Sequence, residues 1–120
     1  MDARLAELTA NEPDETWDGW AMSNLRPVRT GLPMVVWVQH GEGVRHDVRV
    51  KVAMTHGDRL NRENLAVVAV RPEPRLLHGD LSRDDFDAVV RWIKLNERAI
   101  IQHWDGETDT ADLLDATQKV

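Results

Sequence analysis

Val44-Arg45-His46-Asp47-Val48-Arg49-Val50-Lys51-Val52 alternates in character residue by residue. A strand turns successive side chains to opposite faces, so Val44, His46, Val48, Val50 and Val52 share one face and Arg45, Asp47, Arg49 and Lys51 share the other. A slip of one residue would expose every valine, which fixes the register. Upstream, Met34 to Gln39 is rich in Val and carries Trp37, and His40-Gly41-Glu42-Gly43 between the two segments reads as a turn. The pair is expected to form a β-hairpin. Downstream, after a second turn at Thr55 to Asp58, Leu65 to Val70 is an unbroken apolar run, the pattern of a strand covered on both faces. Pro72 and Pro74 end that run, and Arg75 to His78 is expected as a short edge segment.

Helical signals follow. Ser82 is a natural N-cap, Leu81 can pack onto Phe86, and Asp84, Asp85 and Asp87 suit the positive end of a helix dipole. Phe86, Val89, Val90, Ile93, Ile100 and Trp104 recur near helical spacing, the pattern softening at Asn96 and Glu97. Gly106 fits a cap just past the end, and a shorter helix with Leu113 and Leu114 on one side is expected after Asp109. Strands first and helices afterwards argue an α+β fold: a small antiparallel sheet of three or four strands, one long helix, and a short C-terminal helix. Residues 1–31 read as a peripheral N-terminal arm and 32–120 as a single α+β domain. Within Ser23 to Pro33, the residues Pro27, Gly31 and Pro33 suggest an extended connection.

The 120 residues hold no Cys, which excludes disulfides, thiolate metal sites and cysteine nucleophiles. Met1 to Trp20 carries six acids and one Arg, unlike a basic leader followed by an apolar stretch. No apolar run approaches the roughly 20 residues of a spanning helix. These features lead to the expectation of a soluble, cytoplasmic protein with no membrane partner. The net charge of −6 is unevenly spread. Residues 25–80 carry nine cations against six carboxylates, whereas acids dominate both ends. Acidic ends solvated around a mildly basic sheet account for this pattern, as would a basic surface for an acidic partner.

Motifs for chemistry are missing. Ser occurs at 23 and 82 alone, no Gly-x-Ser-x-Gly or phosphate-binding Gly loop is present, and no His pair has metal-ligand spacing. A site assembled from His40, His46 and His56 is the weaker alternative to histidines in turns. No catalytic residue, metal or cofactor is expected. Interaction surfaces remain. Trp17 and Trp20 stand in the acidic arm, and Leu95, Ile101 and Trp104 make the long helix apolar around more than one face. These five are the candidate contacts to another protein or to a second copy. The alternative is nucleic-acid binding or RNA cleavage through Arg45, His46, Arg49, Lys51 and Arg59; a second alternative is an acidic inhibitor that mimics nucleic acid.

Residues Arg45 to Arg59, the Leu81-Ser82-x-x-Asp85 helix start, Arg91-Trp92-Ile93, Leu95-Asn96 and His103-Trp104-Asp105-Gly106 together resemble a family of short bacterial proteins of unknown function, some encoded beside toxin–antitoxin or mobile-element genes. The likeness covers residues 33–114. It implies a small β-rich half and a helix ending in Trp, with no catalytic residues and an accessory or antitoxin-like role. The commoner family pattern has a denser His-Pro-rich motif in its first half, where this chain has only His46.

Overall fold

The computed structural model describes residues 22–60 and 62–120. Five strands run β1 (Met22–Leu25), β2 (Val36–Gln39), β3 (Arg49–Ala53), β4 (Leu65–Ala69) and β5 (Arg75–His78). A single helical turn, α1 (Pro27–Thr30), separates β1 from β2; the long helix α2 (Arg83–Trp104) and the short α3 (Thr110–Ala116) follow β5. The strands form one antiparallel sheet whose spatial order is their chain order.

The α+β class and the two helices are as expected, but the sheet has five strands rather than three or four. The additional strand is β1, in the stretch read as an extended connection. Its four residues, Met-Ser-Asn-Leu, bury Leu25 and Ser23 but carry no β-branched residue to mark a strand. Pro27 does not break the chain there. It opens α1 at the first helical position, where its missing N–H costs nothing, and Gly31 closes the turn at φ 81° with its N–H donating to the Pro27 carbonyl.

The β2–β3 hairpin is present, yet β3 begins at Arg49 rather than Val44. The register pairs Val36 with Val52 and Val38 with Val50, so a continued ladder would bring residues 41 and 47 opposite each other. Instead the Gly41 N–H donates to the Trp104 carbonyl at 2.8 Å and the Val44 N–H to the Gly41 carbonyl at 3.0 Å, which draws the loop onto the end of α2.

One sheet face carries Leu25, Val36, Val38, Val50, Val52, Ala66 and Val68, all buried, and α2 adds Val89, Trp92, Ile93 and Ile100 to form a single core. Burial of each such large aliphatic side chain is worth about 1.5–3 kcal/mol. The alternation of the strands puts Trp37 and its cross-strand partner Lys51 on the opposite face, both buried.

Ser82 caps α2, its Oγ accepting from the Asp85 N–H at 3.1 Å. Val89, Trp92, Ile93, Asn96, Ala99, Ile100 and His103 then follow the 3–4 spacing of one buried stripe. The softened pattern at Asn96 marks a kink with φ −113° and ψ 16°. There the side-chain amide donates to the carbonyls of Trp92 and Gln118, each at 3.0 Å, and its oxygen accepts from the Gln118 N–H at 2.7 Å. The segment after α3 is thus fastened to the middle of α2. It also reaches α1, where the Val120 N–H donates to the Thr30 carbonyl at 2.9 Å. No helix among the described residues is long and apolar enough to cross a membrane.

Candidate functional site

β5 ends the sheet. It pairs with β4 through Ala69–Arg75, Val68–Leu76 and Val67–His78, and the register slips between Val67 and Val68, leaving Leu77 as the extra residue of a bulge. All four residues of β5 are exposed, Leu76 by 39% and Leu77 by 41%. No described strand lies beyond β5, so its outer backbone groups have no ladder of their own. Both flanks of the strand are anchored. On one side Arg71 forms a two-pronged pair with Asp47, with nitrogen–oxygen distances of 2.8–3.2 Å, and this hydrogen bonding holds the Asp47 carboxyl below its ordinary range. On the other, Gly79 at φ 81° presses so close to β4 that a Cβ would lie 2.7 Å from the Ala66 Cα. The edge is therefore exposed but positioned.

A second cluster gathers where α2 stops. A cleft of about 390 Å³ is lined by His40, Gly41, Glu42, Trp104, Asp105 and Gly106. Gly41 lies against the Trp104 indole, since a Cβ there would sit 2.4 Å from a ring atom. The His46 ring stacks on that indole at 5.6 Å between centroids, and His40 tilts against His103 at 4.2 Å. His103 is fully buried, and neither of its ring nitrogens has a hydrogen-bond partner. Burial, and then the neighbouring His40, lower its pKa; the Thr108 backbone and Asp109 oppose this more weakly.

The candidate contacts from sequence fall in different settings. Trp17 and Trp20 lie outside the described residues. Leu95 is 46% exposed and Ile101 half-buried, both edging a shallow groove on α2 with Lys94, Arg98 and Gln102. Trp104 points inward. Of the cationic set, Arg45 is exposed in the loop before β3, His46 turns onto Trp104, Arg49 is half-buried, Lys51 is only 2% exposed, and Arg59 is exposed in the β3–β4 connection. The structure does not gather them into one surface.

Nor do His40, His46 and His56 converge. His56 pairs with Asp85 at 2.8 Å near the start of α2, about 30 Å of helix away from His40. Among the described residues no group of three or more His, Asp or Glu is arranged to hold a metal. The leucines of β5 were not among the sequence candidates, although adjacent Leu76 and Leu77 in a strand cannot both face one core. His103 left only a faint trace, a histidine at a stripe position three after Ile100. The chain matches no protein-family model, no curated protein and no solved structure.

Proposed function

We propose that this chain is a small protein-interaction module without chemistry of its own, of the accessory or antitoxin-like kind that the resemblance implies, and that it takes up an extended segment of its partner along β5. The observation that carries this reading is the open edge itself: four exposed residues, two of them leucines, on the last strand of a sheet. An added strand gains main-chain hydrogen bonds from such an edge, and exposed alternate side chains supply selectivity. Natural edges are commonly guarded by charge, proline or a bulge. Here Pro74 and the bulge shorten the edge to four residues without covering Leu76 or Leu77.

The nucleic-acid alternative is less well supported, because Lys51 is buried and Arg49 half-buried, leaving Arg45 and Arg59 as separate exposed cations. The acidic-mimic alternative draws on the carboxylates of both ends, of which those of residues 1–21 lie outside the described part. To test the proposal, the tagged chain and its Leu77→Pro variant are compared by capture from the native cell extract with cross-linking and mass spectrometry. A partner whose cross-links map to residues 75–78 and which the variant loses supports the proposal. Equal capture by both forms, or cross-links elsewhere, overturns it.

A further inference from the structure

We propose that His40 and His103 form a pH-sensitive latch that holds the end of β2 to the junction between α2 and α3. The two rings lie 4.2 Å apart, one from the end of β2 and one from the last turn of α2. Beside them the Gly41 N–H donates to the Trp104 carbonyl, so the same few residues close the hairpin loop against the helix. Three buried polar atoms there have no hydrogen-bond partner: both ring nitrogens of His103 and the Thr108 hydroxyl. A neutral imidazole tolerates this burial better than a charged one, because an imidazolium there loses hydration that the Thr108 backbone and Asp109 only partly replace.

The charges around the pair come from four places. His40 itself approaches from β2, and its proton would repel one on His103. Asp109, the N-cap of α3, favours a charged His103, but it is the smallest of the influences on that ring. Glu42 and Asp105 line the cleft on the His40 side, from the hairpin loop and from the end of α2. Burial and then the imidazole neighbour outweigh the Thr108 backbone and Asp109 at His103, whose pKa is lowered. A group held neutral in the closed form contributes its full stability above the ordinary histidine value of about 6.5, and that contribution is lost progressively as the pH falls below it.

The test is native-state amide exchange, expressed as protection factors, together with ¹H–¹³C spectra of the five histidines between pH 7.5 and 5. Protection at Gly41 and Leu113 should fall about tenfold over this range while that of β3 and β4 is retained, and the His103 signal should titrate below the ordinary histidine value of about 6.5. His103→Leu should abolish the fall, His40→Gln should reduce it, and His56→Gln should leave it unchanged. Should His103→Leu fail to fold, His40→Gln decides: a fall as steep as that of the parent chain overturns the latch. Protection at Gly41 and Leu113 that does not change with pH in the parent also overturns it.

Discussion

Asn96 concentrates more hydrogen bonding than any other side chain of α2. It sits in the buried stripe, where an apolar residue would continue the pattern, and spends its amide on three backbone groups, two of them from Gln118. Replacing it by Ala leaves those groups without partners in a largely dry place, at a cost of about 1–3 kcal/mol. Urea denaturation of Asn96→Ala should show the loss as a lower midpoint at nearly unchanged slope. Lys51 shows the limit of reading single residues. Its place on the face opposite the valines was legible from alternation, but alternation says only which way a side chain points, and the burial of that second face was not visible in a run of charged residues.

Among the elements, α2 was the most legible because its signals are local: a serine cap, acids in the first turn, and a glycine just beyond the end. β1 was not, since a four-residue strand is defined by its ladder with β2 and not by its own composition. The early part of the alternating stretch misled for a related reason. Residues 44–48 had the pattern of a strand, but the Gly41 N–H was already committed to the Trp104 carbonyl. α3 depends most on its cap. Asp109 accepts from the Asp112 N–H at 2.8 Å, while its own N–H donates to the Asp112 side chain at 3.2 Å. Seven residues are too few for a helix to persist on propensity alone. In Asp109→Ala the bond that its carboxylate accepts is lost while its backbone N–H remains, and amide exchange across residues 112–116 should quicken while α2 keeps its protection.

For the whole molecule, the free edge at β5 and the latch rest on different residues, Leu76 and Leu77 against His40 and His103, so the binding proposal and the latch can fail separately. The edge was visible in sequence as a short segment between prolines and a glycine; its role as a contact surface needed the sheet order, which places β5 last. That order has a kinetic consequence. Every strand lies beside its neighbour in the chain, and the connections between strands run from five to eleven residues, so each pairing closes only a short loop. A sheet paired from such near neighbours forms early, before the end of α2 closes on Gly41 and Val120 on Thr30. Stopped-flow refolding should show its main phase within milliseconds to tens of milliseconds, where a sheet assembled from distant segments would need far longer to find its pairs.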